Sequence, residues 1–265
     1  MSAATDPTHQ VALPLAEQIV LVTGGARGLG AAIVRAFADE GARVVIDYHR
    51  SADAATTLAA ELGDRALAVR ADVTDPAAVQ HLFTQAETAF GEPVSTIVNN
   101  ALPTYSFNGD ARSRVDQLTW SEIDNQTRGV VGGALHTVQA ALPGMRRRHF
   151  GRVVNIGTNL VQNPVVPYHD YTAAKAALLA LTRTMSHDLG PDGITVNMVS
   201  GGLLRTTDAS AATPEPLFDA IAAGTPLRAV TTPAQLASAV LFFASPWGRA
   251  VTGQNLVVDG GLVHN

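Results

Sequence analysis

Ile19-Val20-Leu21-Val22-Thr23-Gly24-Gly25-Ala26-Arg27-Gly28-Leu29-Gly30 runs from four apolar residues into a glycine-rich turn, and Ala31, Ala32, Ile33, Val34, Ala36 and Phe37 continue it with helical spacing. That order fits a buried strand, a tight turn and a helix start. Glycines at 24, 28 and 30 let backbone N–H groups approach a phosphate at the positive end of the helix, where side chains would block them. The spacing departs from the G-x-G-x-x-G dinucleotide fingerprint, so the turn taken alone also fits an ordinary strand-to-helix connection.

The pattern then repeats along the chain. Short apolar runs predict strands over 19–23, 43–47, 66–71, 95–98, 152–157, 194–199 and near 255–258. Between them, amphipathic stretches predict helices over 28–40, 52–62, 76–90, 120–148 and 233–244, with one more around Tyr171 and Lys175. Such alternation implies an α/β fold, a doubly wound parallel sheet of about seven strands with helices on both faces. Residues 102–118 break the rhythm, and a polar stretch of that length belongs at the rim of a substrate site. The stretch from Leu203 to Thr232 is variable in character. Gly129, Gly132 and Gly133 are poor helix formers that permit another backbone to come close. Pro7 and Pro14 mark the start as a flexible arm over 1–16, and 17–265 reads as one domain.

Composition narrows the function. There is no cysteine, which excludes disulfides, thiolate nucleophiles and zinc-thiolate sites, and no metal site is expected. A net charge of -5 gives no support to a nucleic-acid or anionic-membrane partner. No secretory signal and no bilayer-length apolar run stand out, and the expectation is a cytoplasmic protein.

Tyr171-Thr172-Ala173-Ala174-Lys175 places a phenol and an ammonium four residues apart, on one face of a helix. There the cation would stabilise a phenolate and let the tyrosine trade protons near neutral pH. Tyr168 is the rival phenol, but four residues on it meets Thr172 and lacks the cation. His169 and Asp170 flank the pair, as pocket-lining or exposed residues.

The turn TGxxxGxG and the YxxxK pair recur with Asp72-Val73, Asn99-Asn100-Ala101, a hydroxyl residue ahead of the tyrosine, Val251-Thr252-Gly253-Gln254 and Asp259-Gly260-Gly261. From Ile19 to the C-terminus this ordered set resembles the short-chain dehydrogenase/reductase family, and most of all its 3-oxoacyl-acyl-carrier-protein reductases. The resemblance implies a Rossmann fold and a nicotinamide cofactor. It also implies a catalytic group of Thr158, in the family's serine place, with Tyr171 and Lys175. Thr158 keeps the hydroxyl and adds a methyl group. A ketone would lie between Thr158, Tyr171 and the nicotinamide, with Lys175 on the nicotinamide ribose and lowering the tyrosine pKa.

By the same resemblance, Gly24, Arg27, Gly28, Leu29 and Gly30 hold phosphates, Asp72 and Val73 hold the adenine, and Asn99 and Ala101 lie near its ribose. Gly202, Leu204 and Thr206 would hold the carboxamide and phosphates. Cofactor choice falls at the end of the second strand, where the usual acidic position is Tyr48 and Asp47 lies one place earlier, on the opposite face. Arg50 and Ser51, with Arg27, then fit a 2′-phosphate, so NADP(H) is favoured over NAD(H). If Asp47 swings round to the ribose, NAD is the cofactor.

The sequence departs from the family at Leu102, in place of glycine, and at Gly201, in place of proline. Val130 or Thr127, by two different counts, replaces the asparagine of a proton relay. The expected function is reduction of a ketone, a 3-oxoacyl thioester first, which would place the protein in fatty acid metabolism. The alternatives are an NAD-dependent alcohol, steroid or sugar dehydrogenase, and a cofactor-binding protein of weakened catalysis. The family implies a homotetramer or homodimer.

Overall fold

A computed structural model describes residues 12–105, 107–108, 111–207, 210–211 and 213–264. Its elements are β1 (Ile19–Val22), α1 (Gly28–Asp39), β2 (Arg43–Tyr48), α2 (Ala52–Leu62), β3 (Ala66–Arg70), α3 (Pro76–Phe90) and β4 (Thr96–Asn99). They continue with α4 (Trp120–Thr127), α5 (Gly133–Arg148), β5 (Gly151–Thr158), α6 (His169–Leu189), β6 (Ile194–Gly201), α7 (Glu215–Gly224), α8 (Pro233–Ala244) and β7 (Asn255–Val258). The strands form one sheet in the order β3-β2-β1-β4-β5-β6-β7, every neighbouring pair parallel.

Strand residues alternate between two apolar layers, as the period of two requires. Val20, Val22, Val44, Ile46, Val154 and Ile156 pack with α1, α2 and α8 on one face. Ile19, Leu21, Val45, Val69, Ile97 and Val153 pack with α3, α5 and α6 on the other. Both faces are covered, so β1, β5 and β6 are buried along their whole length. Helix starts follow their capping chemistry. Asp75 accepts from the N–H of Ala77 with Pro76 in the first turn, and Thr119–Glu122 and Thr232–Gln235 form capping boxes.

Between Leu15 and Glu17 the chain makes a 3-10 turn, and Leu15 packs on the core layer of α1. Residues 1–11 of the expected arm lie outside the described residues.

The structure differs from the sequence reading in two elements. The helix expected over 120–148 is divided by a π turn, Arg128–Gly132. Here Gly129 and Gly133 make room within the chain itself: a Cβ at Gly129 would collide with the ring of Pro103, and one at Gly133 would stand 2.8 Å from Val73 Cγ2. Gly132 faces open space. The second difference is α7, inside the stretch that carried no element assignment; it buries Phe218 alone.

β1 has β2 on one side and β4 on the other, so the chain reverses direction of travel across the sheet there. In open α/β sheets the crevice at the carboxyl ends of such strands is the ligand site.

Candidate active site

The glycine turn leaves β1 at this crevice and is held from below by Asn100. Its Nδ2 donates to the carbonyls of Thr23 (2.9 Å) and Gly24 (3.1 Å), while the N–H groups of Asn100 and Ala101 both donate to Thr23 Oγ1 at 2.9 Å. Spacing alone assigns Asn100 no role, and only the fold shows that it ties β4 to the turn. Gly24 has φ of 61°, and a Cβ at Gly30 would collide with the Gly24 carbonyl, so both positions require glycine. No side chain caps α1 at Arg27, which leaves its first-turn N–H groups, from Gly28 to Gly30, available to an anion. Thr207, on the segment after β6, reaches back across the crevice to within van der Waals contact of a Cβ at Gly28. An uncapped helix start under a glycine turn fits a dinucleotide's phosphates.

At the end of β2 the alternation separates Asp47 from Tyr48. Tyr48 packs with the α1 layer, whereas Asp47 is 2% exposed, with Oδ2 accepting from the Gly24 N–H at 3.3 Å and Oδ1 without a partner. Burial pushes its carboxyl up to about 7, against the pull of the nearby backbone N–H groups of Gly24 and Ala71. Asp47 therefore supports the turn from within and does not reach towards the mouth. Arg50 and Ser51 follow the carboxyl end of β2, and Arg27 is exposed in the turn; the Arg50 guanidinium donates to Thr104 Oγ1. Asp72 Oδ1 takes the N–H (2.9 Å) and hydroxyl (2.7 Å) of Thr74, which hold its pKa down. The Val73 carbonyl accepts from His136 Nδ1 at 2.8 Å.

Asn99, expected near the adenosine ribose, ends β4 at the crevice. Its side chain points into the sheet, donating to Asn155 Oδ1 (2.9 Å) and accepting from Thr137 Oγ1 (2.7 Å), so it ties β4 to β5 and α5. On the far wall, Gly202 lies against Asn159, whose Nδ2 donates to Asp259 Oδ2 at 2.9 Å. Leu204 packs on the α8 layer and Thr206 is exposed. Gly201 is a packed position, since a Cβ there would come 2.5 Å from Leu236 Cδ1.

Thr158 ends β5, and Tyr171 and Lys175 sit on the first turns of α6; all three are buried. The Leu160 N–H donates to Thr158 Oγ1 at 3.3 Å, which leaves the hydroxyl proton free to turn towards the Tyr171 phenol it bonds. Lys175 Nζ donates to the Ile156 carbonyl at 2.6 Å and lies 5.8 Å from the centre of the Tyr171 ring. The expected lowering of the tyrosine pKa does not appear. Burial pushes it up to about 12 and only the Thr158 hydrogen bond pulls it down, while burial brings Lys175 down to about 8. The physical reason is that the desolvated ammonium, which faces a carbonyl and apolar neighbours, gives up its charge before the phenol ionises. Val130 is one of these, lining with Lys175, Thr23 and Ala101 a small cleft under the glycine turn. Thr127 instead bonds its own helix, at the Ile123 carbonyl.

The loop after β4 closes the other side of this group. Tyr105 and Phe107 each bring a ring centre to 5.4 Å from that of Tyr171, and Tyr168 stands 5.7 Å from both. Asp170 is buried and His169 exposed. Among the described residues, no His, Cys, Asp or Glu group that could hold a metal ion is present, and no helix is long and apolar enough to cross a membrane.

Comparison with known proteins agrees with this fold. A family model described as enoyl-(acyl carrier protein) reductase matches residues 24–263. The chain is 31% identical to the 3-oxoacyl-acyl-carrier-protein reductase FabG of Vibrio cholerae, over 92% of the chain and 97% of that protein. It is 35% identical to a 3-alpha-(or 20-beta)-hydroxysteroid dehydrogenase of Mycobacterium bovis, over 93% of the chain and 89% of that protein. A short-chain dehydrogenase from Burkholderia cenocepacia, crystallised in complex with NADP, superposes with a TM-score of 0.81 at 35% identity, covering 94% of this chain and 99% of that one. With a glycine turn at the switch point of a parallel sheet and a buried Thr-Tyr-Lys group beside it, the chain belongs to the short-chain dehydrogenase/reductase family.

Proposed function

We propose that the protein is an NADP(H)-dependent oxidoreductase that reduces a ketone to a secondary alcohol, with residues 17–265 acting as one unit and Tyr171 as the proton donor. The observation that carries this reading is the buried Thr158–Tyr171–Lys175 group at the carboxyl end of β5, next to an uncapped helix start. When bound, the cofactor supplies the hydride. The chain's own part is to hold and protonate. Thr158 would turn its hydroxyl proton from the phenol to the ketone oxygen, and Tyr171 would give its proton as the alkoxide develops. Lys175, with no carboxylate partner among the described residues, would bond the nicotinamide ribose and bring positive charge to the phenol. Arg27, Arg50 and Ser51 would hold a 2′-phosphate, and the inward-facing Asp47 weighs against an NAD site.

Two ketone classes follow from the relatives. Likeness to the Vibrio reductase supports a 3-oxoacyl thioester, and likeness to the hydroxysteroid dehydrogenase supports a ring ketone. An oligomer of two or four chains in the cytoplasm is part of the same proposal. NADPH consumption with a short 3-oxoacyl thioester and with ring ketones tests the reading. Tyr171→Phe is expected to lower kcat by roughly 10²–10⁴-fold while NADPH binding persists. Turnover unchanged by that substitution overturns it.

A further inference from the structure

The loop between β4 and α4 does more than pass the site. Four rings, Tyr105, Phe107, Tyr168 and Tyr171, form one cluster with centre-to-centre distances from 4.8 to 5.7 Å, mostly edge to face. A clamp fixes the cluster to α6. Arg112 Nη2 meets Asp170 Oδ2 at 2.7 Å, the Tyr105 hydroxyl donates to Asp170 Oδ1 at 3.2 Å, and the guanidinium lies 4.3 Å over the Tyr105 ring. Asp170 precedes Tyr171 in the helix and is 3% exposed, so a strong ion pair holds the loop in place one residue from the proposed proton donor. Burial and the Asp170 charge hold the Tyr105 phenol neutral, as a donor.

The hydroxyl of Tyr171 is turned to Thr158, while the body of its ring receives Tyr105 and Phe107. A ketone oxygen that reaches both hydroxyls therefore brings its substituent against aromatic surface. Phe107 and Tyr105 are only partly buried, so each ring keeps surface that is not taken up by the cluster.

Resting on the ketone-reductase reading, we propose that Tyr105 and Phe107 are specificity-determining residues that select ketones bearing a flat, fused-ring body, and that Arg112 and Asp170 are positioning residues for this wall. Flat rings match the wall in shape and gain edge and face contacts that a flexible acyl chain makes only at a cost in rotamer entropy.

The test compares α-tetralone with 2-decanone, two ketones of equal carbon number. For each, kcat and KM with NADPH are measured on wild type, Phe107→Leu and Arg112→Met, and each ketone's Kd is measured by calorimetry. Phe107→Leu keeps an apolar side chain of similar bulk. Its expected effect is a rise of about tenfold in KM and Kd for tetralone with kcat nearly kept, and less than about twofold for decanone. Arg112→Met is expected to move the same ratio in the same direction. Equal losses for both ketones, no loss, or a gain for both on Phe107→Leu overturns the proposal; the last would make the loop a plug. If no ketone is reduced, the reductase reading fails, and the ratio of the two Kd values still decides ring selection by itself.

Discussion

At the scale of single residues, Asp47 carries a carboxyl that water does not reach. One oxygen is held by the Gly24 N–H and the other has no partner. With its pKa raised from 3.8 to about 7, the folded protein keeps a proton that the unfolded chain loses between those values. Stability contributed here therefore falls as pH rises through that window, and above pH 7 the full cost of the buried charge is present. Asp47→Asn keeps an acceptor for Gly24 and removes the charge. It is expected to raise Tm at pH 8 by several degrees, at an order of about 2–4 kcal/mol, with a smaller gain at pH 5. Parallel Tm-against-pH curves for the two proteins would rule this account out. Period-two alternation was enough to put Asp47 opposite Tyr48 from sequence. Asp170 was not legible in that way, because its partner Arg112 lies 58 residues earlier in a loop without periodicity, and an acid before a helical tyrosine reads equally as a solvated first-turn charge.

At the scale of elements, the glycine turn is shaped as much by β4 as by its own glycines. Asn100 Nδ2 satisfies two carbonyls of the turn, at Thr23 and Gly24. Asn100→Ala would leave both without that donor and free the turn to shift. The expected result is a loss of about 1–3 kcal/mol in stability and roughly tenfold weaker NADPH binding, read by denaturant titration and nicotinamide fluorescence. Destabilisation without any change in NADPH affinity would show that the turn keeps its shape unaided. Elements were legible wherever burial imposed a period: α2, α3, α8 and β7 fall on the residues read from sequence. The π turn was not, since its departure from the α period spans only Arg128–Gly132 and its cause, the approach of Pro103 and Val73 to Gly129 and Gly133, is tertiary. Short α7, with prolines at 214 and 216 and one buried side chain, gave no periodic signal strong enough to read. That Thr158, Tyr171 and Lys175 come together was legible because spacing and motif order fix their places, whereas the protonation balance of the group depends on burial that spacing does not encode.

At the scale of the whole molecule, the residues proposed to hold the cofactor come from most of the chain: Gly24 to Gly30, Arg50, Asp72, Ala101, Lys175 and the segment from Gly202 to Thr206. They meet only because the sheet order places β1, β4 and β5 side by side between the β2–β3 and β6–β7 flanks. A ligand across that crevice would bind the folded chain and not the unfolded one, so its binding free energy adds to global stability. NADPH at one hundred times its Kd is expected to add about 2.7 kcal/mol, a rise of roughly 5–10 °C in Tm for a chain of this size. NADH at the same concentration should give a smaller rise, because Arg50 and Ser51 find no phosphate and Asp47 stays under the turn. Arg50 would exchange its present acceptor, Thr104, for the phosphate, so Arg50→Ala should narrow the gap between the two cofactors by lowering the NADPH shift alone. Equal shifts from NADPH and NADH in the wild-type protein, or a gap untouched by Arg50→Ala, would remove the 2′-phosphate site at the end of β2 while leaving the catalytic group, which stands on other elements, unaffected.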